Sequence, residues 1–253
     1  LATLSVIVIT KNETHNIQAC LEAVAFADQC VVLDSGSSDN TCELARTIGA
    51  EVTQSDDWQG FGVQKNRAVA LARCDWILSI DADEVVTPAL AEEIKAVLAS
   101  NASTHQVYDF PRLSSYCGQY IHHSGWYPDR IARLFKRGSA EFSDDLVHER
   151  LITKFKIGHL RGKLLHQSVT DFEEVLHKTN LYSSAGAQLM FQRGKRASPF
   201  KALLHGGWTF IRCYFLRLGF LDGSMGLVLA ISNAEACYYR YLKLWLKNRQ
   251  QNV

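Results

Sequence analysis

Along the first hundred residues, short apolar runs alternate with polar loops and with stretches in which apolar residues return at helical spacing. Leu4 to Ile9 (LSVIVI) is continuous and β-branched, the pattern of a strand covered on both faces, and it stops at the polar Thr10-Lys11-Asn12-Glu13. Ile17, Leu21 and Val24 then predict a helix over 16–24. The scheme repeats: Cys30 to Leu33 runs into Asp34-Ser35-Gly36-Ser37-Ser38-Asp39, followed by a helix over 41–48 with Ser38 or Asp39 as N-cap and Gly49 as its stop. A third strand is expected over 51–53, a helix over 61–72, and a fourth strand over 76–80 that ends at Asp81-Ala82-Asp83-Glu84. Thr87 as N-cap and Pro88 at the first helical position, with Glu92 and Glu93 soon after, open a helix that runs to about Ser100.

Strands alternating with helices imply an α/β fold, a mostly parallel sheet with right-handed crossovers and helices on both faces. In such sheets ligands bind outside the carboxyl ends of the strands. The clusters 10–13, 34–39 and 81–84 each follow a strand, so all three are expected on one rim. Beyond Asn101 the runs shorten to strands over 106–110, 130–136 and 164–166, still within one domain that extends to residue 170. From Asp171 the pattern is helical, with His177, Asn180 and Ser184 at polar spacing, then helices over 200–216 and 225–247. In the last of these, Tyr238, Tyr241, Leu242, Trp245 and Leu246 alternate with Arg240, Lys243 and Lys247, an amphipathic pattern.

Composition narrows the class. The 253 residues are 47% hydrophobic and 21% charged with four prolines, which excludes a disordered chain. A net charge of +1 conceals an uneven distribution: from Val175 to Leu221 there is no Asp or Glu, while Lys178, Arg193, Lys195, Arg196, Lys201, Arg212 and Arg217 all fall there. Because Phe, Trp, Tyr and Leu interleave these cations, an anionic membrane surface is the expected partner and nucleic acid is not. Apolar stretches in this region are broken by Arg212, Arg217 and Asp222 before they reach the about eighteen residues of a spanning helix, so peripheral contact is expected. Seven cysteines without a C-x-x-C pair point to reduced thiols rather than disulfides or zinc, and a start that reads directly as a strand gives no export signal. Together these make a cytoplasmic location the expectation.

Candidate chemistry gathers at the strand ends. Asp81 and Asp83, alternate carboxylates after an apolar strand, suit a hard cation such as Mg²⁺ or Mn²⁺ bridging a diphosphate. By itself Asp-Ala-Asp-Glu before Pro88 reads more readily as a polar turn capping a helix, and its place after the fourth strand reverses the preference in favour of the site. Asp34, followed by Ser35 and Gly36, can accept the N3–H of a uracil or simply close a turn. Lys65 and Arg67 can face a diphosphate or remain solvated helix charges.

Four ordered segments, VIVITKNE (6–13), VLDSGSSDNT (32–41), QKNRAVALA (64–72) and WILSIDADE (76–84), resemble the donor-binding half of family 2 glycosyltransferases. WYPDRIARLFKRGSAEF (126–142), LVHERL (146–151) and FLDGSMGLVLAISNAEACYYRYLKLW (220–245) extend the resemblance to bacterial lipopolysaccharide core glucosyltransferases of the WaaE/KdtX type. The resemblance implies a GT-A catalytic domain over 1–170, with a donor half to about residue 100 and an acceptor half beyond it. A basic, membrane-associating helical region follows over 171–253.

It further implies that Thr10, Asn12, Glu13, Asp34 and Ser35 hold a uridine nucleotide, and that Lys65, Arg67 and Arg133 lie near the phosphates. Asp81 would support ribose or a metal-bound water, and Asp83 would bind Mg²⁺ or Mn²⁺, with His166 completing the metal site. An inverting transfer needs a base for the acceptor hydroxyl, opposite the leaving diphosphate. Glu149 is that base by resemblance, with Asp145 as the alternative and Asp144 beside it. The donor would be a UDP-sugar, UDP-glucose by resemblance, and the acceptor a lipid-linked saccharide such as inner-core heptose of lipopolysaccharide.

Other classes fit less well. A nucleotidyltransferase needs a glycine-rich phosphate loop after the first strand, where Lys11-Asn12-Glu13 has no glycine, and no G-x-G-x-x-G follows any strand to hold a dinucleotide. Gln192-Arg193-Gly194 does not match the Q-x-x-R-W of processive synthases, so a single sugar is transferred. A non-catalytic, membrane-docked saccharide-binding module is the remaining alternative; it would release no nucleoside diphosphate.

Overall fold

The computed structural model describes residues 1–100, 105–144 and 149–250. β1 (Leu4–Thr10) is buried at every position because apolar side chains cover both of its faces. Val6 and Val8 join Ile17, Leu21, Leu78 and Ile80 in one cluster, whereas Ile7 and Ile9 join Val31, Leu33, Ala68 and Ile77 in another. Successive side chains of a strand point to opposite faces, so an unbroken apolar run is what a central strand between two helical layers requires.

β2 (Gln29–Asp34) and β4 (Trp76–Asp81) pair with β1 in parallel on its two sides, and β3 (Glu51–Gln54) pairs with β2. The registers set Thr10 opposite Asp34 and Ile9 opposite Asp81, which brings the expected polar clusters onto one rim. With strands about 4.8 Å apart, Asp34 and Asp81 flank β1 at roughly 10 Å from each other. The helices α1 (Ile17–Glu22), α2 (Thr41–Thr47), α3 (Phe61–Leu71) and α4 (Pro88–Ala99) fall where periodicity put them. Thr87 caps α4 by accepting the Leu90 N–H at 3.3 Å. The cap of α2 differs from expectation. Asn40 holds the cap position without a side-chain bond, and Asp39 instead accepts the Thr41 N–H at 3.1 Å.

Beyond the parallel strands the sheet turns antiparallel. β5 (Glu84–Val86), β6 (Val107–Tyr116), β8 (Asp129–Lys136) and β12 (Leu164–Val169) complete the order β3-β2-β1-β4-β8-β6-β12-β5. β7 (Gln119–Tyr120) and β11 (Ile157–His159) add to β6, while β9 (Ala140–Phe142) and β10 (Leu151–Thr153) form a separate pair. β5 was not expected. Its three residues are too few to show a period, and its pairing with β12 is a long-range event.

Contacts divide the chain into a first unit, Leu1–Arg112 with Asp129–His166, and a second, Leu113–Pro128 with Gln167–Val253. A boundary at 170 was expected from the change of pattern; the 113–128 excursion, read as part of the α/β domain, groups instead with the helices. The second unit holds α5 (Phe172–Gln192), α6 (Pro199–Ile211) and α7 (Gly223–Gln250), with a π turn over Arg212–Leu216 and a 3-10 turn over Gly219–Asp222. Asp171 and Ser198 cap α5 and α6 by accepting the N–H groups of Glu174 and Lys201. Tyr116, Ile121, Val169, Val175 and Leu229 form its apolar core, with Trp126 edge-on against Tyr116.

Of the amphipathic face expected of α7, Tyr238, Tyr241, Leu242 and Trp245 are half-buried and Leu246 is exposed. Leu244 is fully buried, and Lys243 Nζ donates to Asn180 O and Oδ1, Ser183 Oγ and Ser184 Oγ of α5 at 2.8–3.0 Å. The polar spacing of Asn180 and Ser184 thus serves the Lys243 ammonium.

Candidate active site

The end of β4 carries Asp81, and α3 supplies the cation beside it. Lys65 projects from the helix face that packs inward and is 1% exposed. Its Nζ lies 2.9 Å from Asp81 Oδ1 and 2.7 Å from Glu149 Oε1, joining side chains 84 residues apart to the strand end between them. Two features of α3 make this approach possible. A Cβ on Gly62 would sit 1.8 Å from Ser143 O, so only glycine lets that segment pass so close. Asn66 donates to Phe142 O at 2.8 Å and accepts the Phe142 N–H at 2.9 Å, clamping β9 to the helix just ahead of Glu149.

Arg133, on β8, donates from Nη2 to Asp81 Oδ2 at 3.0 Å. Burial works to raise the Asp81 pKa, but Arg133 and Lys65 outweigh it and hold the carboxyl well below its ordinary value. Burial likewise opposes the charge on Arg133, and Asp81, Glu84 and Glu149 reverse the balance upward. Both Asp81 oxygens therefore face cations. Oδ2 accepts from Arg133, whereas Oδ1 lies against Lys65 without a hydrogen bond among the described residues.

Asp83 is placed differently. Its Oδ2 lies 3.2 Å from His166 Nε2, and the cause is the antiparallel register of β12 on β5, which sets His166 opposite Glu84. Glu84 is wholly buried behind this loop, accepting the Asp81 N–H at 2.9 Å and lying 3.3 Å from Nη1 of Arg112, whose Nη2 in turn bonds Asp129 at 2.7 Å. Burial and the nearby Asp81 charge push its pKa up despite the arginines. Among the described residues no three His, Cys, Asp or Glu side chains gather to hold a metal by themselves. Asp83 and His166 nevertheless suit Mg²⁺ or Mn²⁺, which take one or two protein ligands and fill the remaining positions with phosphate oxygens and water.

The loops after β1 and β2 hold each other. Asn12, at a left-handed φ of 57°, donates its N–H to Ser37 Oγ and accepts the Ser38 N–H, both at 2.8 Å. The Glu13 N–H goes to Thr41 Oγ1 at 2.8 Å, and Glu13 Oε2 accepts from Asn16. Ser35 Oγ accepts from Gln64 of α3 at 3.0 Å. Asp34 is fully buried and closes its own turn, accepting the N–H groups of Gly36 and Ser37 and the Ser37 hydroxyl. Burial raises its pKa, and the Ser37 bonds more than compensate, lowering it. Its carboxylate shapes the loop, with Oδ2 taken by the Gly36 and Ser37 N–H groups and Oδ1 accepting only the Ser37 hydroxyl.

Arg67 turns away from Asp81 toward Asp57 Oδ2 at 2.9 Å and Ser55 Oγ at 3.2 Å. Asp144 is exposed, and Asp145 and His148 lie outside the described residues.

Three expected nucleotide contacts show unmet polar atoms: Thr10 Oγ1, Asp81 Oδ1 and Arg133 Nη1 are buried without a hydrogen-bond partner among the described residues. A buried orphan donor costs about 1–3 kcal/mol, so a ligand that reaches one recovers that energy. Sequence reasoning did not give Glu84 or Arg112 a role. They are 28 residues apart and adjacent only through sheet pairing, so no local spacing signals them.

The Glycosyl transferase family 2 pattern matches residues 5–160. A Rickettsia prowazekii protein described as an uncharacterized glycosyltransferase is 31% identical, over 99% of this chain and 89% of its own. The lipopolysaccharide core biosynthesis glycosyltransferase LpsC of Rhizobium meliloti is 28% identical over 94% of this chain and 93% of its own. Among solved structures, the Mycobacterium tuberculosis glucosyl-3-phosphoglycerate synthase in complex with Mn²⁺, UDP-glucose and phosphoglyceric acid overlaps 44% of each chain at 24% identity and a TM-score of 0.39. A family pattern over well more than half of the chain, and a relative above 30% identity along nearly all of it, show that this protein is a glycosyltransferase with a GT-A fold and belongs to glycosyl transferase family 2.

Proposed function

We propose that this chain is an inverting glycosyltransferase that moves one hexose from a UDP-sugar, glucose by resemblance, to a hydroxyl of a lipid-linked saccharide such as the lipopolysaccharide core. It would work at the cytoplasmic face of the membrane. The observation that carries the reading is the Lys65 bridge, which holds Glu149 against the Asp81 strand end where the donor diphosphate would lie.

Each part of the chain has work in this scheme. The cross-tied 10–13 and 35–38 loops form the uridine side, with Thr10 Oγ1 as an unmet group there. Arg133 Nη1 offers a fixed donor to the diphosphate, in a setting where preorganised charge counts for more than in water. Asp83 and His166 would hold Mg²⁺ or Mn²⁺, which when bound neutralises charge developing on the leaving diphosphate. Lys65 engages one oxygen of Glu149 and fixes its position, so that the carboxylate can take the proton of the acceptor hydroxyl. LpsC, a relative named for lipopolysaccharide core biosynthesis, supports a saccharide acceptor of that kind.

The test is a screen of UDP-sugars with Mn²⁺ and truncated core acceptors, read by UDP release and product mass. Glu149→Gln is expected to lower turnover by roughly 10²–10⁴-fold while UDP affinity is kept. Full turnover in Glu149→Gln would move the base elsewhere, and no UDP release with any donor would leave a binding module.

A further inference from the structure

We infer that residues 199–222, α6 with the two turns after it, form a wedge seated in the boundary layer of an anionic lipid bilayer. The basis is an inversion of side-chain size across α6. Its inner face is small: Ala202 is fully buried, and a Cβ on Gly206 would meet Ala234 O and Tyr238 Cβ of α7 at 3.2 Å each. His205 adds a flat ring stacked on Tyr241 at 4.0 Å. The outer face is large and bare. Phe200, Leu204, Trp208 and Ile211 follow one another at helical spacing, and together with Phe215 and Leu221 in the two turns they are 44–69% exposed.

A helix pair made for water puts its bulky apolar residues in the seam and polar ones outside. Small residues in the seam and bulky ones outside are the arrangement of helices that meet lipid, and an apolar face of this extent marks an interaction surface.

Charge selects the occupant. Lys201, Arg212 and Arg217 lie in the same stretch, Lys195 and Arg196 lie just before it, and no acidic residue occurs from Val175 to Leu221. The first acid, Asp222, is 7% exposed and turned inward, accepting the N–H groups of His122 and His123 and bonding the His123 ring. A stretch whose only charges are cationic, carrying an exposed apolar face, matches anionic headgroups over acyl chains, with Trp208 at the interface where tryptophan is favoured.

No single helix among the described residues is long and apolar enough to cross a membrane. Pro199–Leu216 and Gly219–Gln250 reach that threshold only as a pair bent by 71°. Since α7 spends Leu229, Ala230 and Leu244 on burial, α6 lies in the interface and α7 backs it.

The wedge rests on the proposed lipid-linked acceptor for its purpose, and flotation of the full chain tests it. The chain is expected to float with phosphatidylcholine vesicles containing phosphatidylglycerol, and to remain partly bound at about 0.5 M NaCl, where exposed charges are screened. Leu204→Glu/Trp208→Glu is expected to cut partitioning roughly tenfold or more, with helicity by circular dichroism and turnover on a soluble truncated acceptor unchanged. The inference is overturned if the parent chain stays unbound with anionic vesicles, or if the double variant floats like the parent. A dimer that the double substitution dissolves, without flotation, also overturns it and assigns the face to a second copy. Flotation without any sugar transfer would sink the proposed function and leave the wedge standing.

Discussion

Lys65→Met removes the cation that joins the site, and its cost can be worked from the geometry. Lys65 is buried between Asp81 at 2.9 Å and Glu149 at 2.7 Å. Taking one partner from a buried pair costs about 3–5 kcal/mol, because a charge is left without compensation. The lower end applies here: Asp81 keeps Arg133 at 3.0 Å, and Glu149, 14% exposed, can turn toward water. Methionine nearly preserves the volume of the lysine stem, so little cavity energy is added. A loss of about 3 kcal/mol corresponds to a fall of roughly 6–12 °C in melting temperature for a chain of this size.

Urea unfolding followed by circular dichroism at neutral pH measures it. The pH dependence has a definite sign. Burial raises the Asp81 pKa, Arg133 and Lys65 depress it further than burial lifts it, and the net folded value lies below the ordinary 3.8. The stability so gained is present above that ordinary value and is lost as pH falls through the folded pKa. Removing Lys65 shrinks the depression, so the gap between parent and variant should be widest near neutrality and narrow toward acid. A variant within about 1 kcal/mol of the parent at neutral pH, or a gap that widens on acidification, would refute the account of Lys65 as a buried, paired cation.

Asp83→Ala should weaken Mn²⁺-dependent UDP binding by roughly tenfold or more in titration calorimetry, and an unaltered isotherm would remove Asp83 from the metal site. Gly62→Ala places a methyl 1.8 Å from Ser143 O and should cost about 1–3 kcal/mol of stability, with kcat falling more than UDP affinity; unchanged melting and turnover would mean that α3 need not approach so closely. Glu84→Gln should gain stability relative to the parent as pH rises above 4.5, since the parent carboxyl, its pKa raised by burial and by Asp81, must ionise at a cost that glutamine avoids; urea midpoints with the opposite slope would contradict it.

The positions of β1, β2, β4 and of α3 and α4 were legible because the signals are local: apolar runs, helical spacing, and Thr87-Pro88 as a cap. The clustering of 10–13, 34–39 and 81–84 on one rim followed as well, since parallel strands of like direction end on the same side. Side-chain roles were less legible. Asp34 reads from its neighbours either as a nucleotide contact or as a turn, and only the structure shows its bonds to the Gly36 and Ser37 N–H groups. Arg67 and Lys65 look alike on the helix, yet one reaches Asp57 and the other Asp81 and Glu149.

By itself, then, the sequence determined the order of the parallel strands and their helices, the α/β class and, through four ordered motifs, the family. Tertiary structure decided which charges meet. Lys65 with Glu149, Asp83 with His166 and Glu84 with Arg112 are joined by sheet register and by one close helix approach at Gly62. It also decided that the bulky side of α6 stays bare while Leu229, Ala230 and Leu244 of α7 are buried. Periodicity encodes which face of an element is apolar, a property of neighbours along the chain. The partner of a buried charge is set by distance in space, which no local pattern carries.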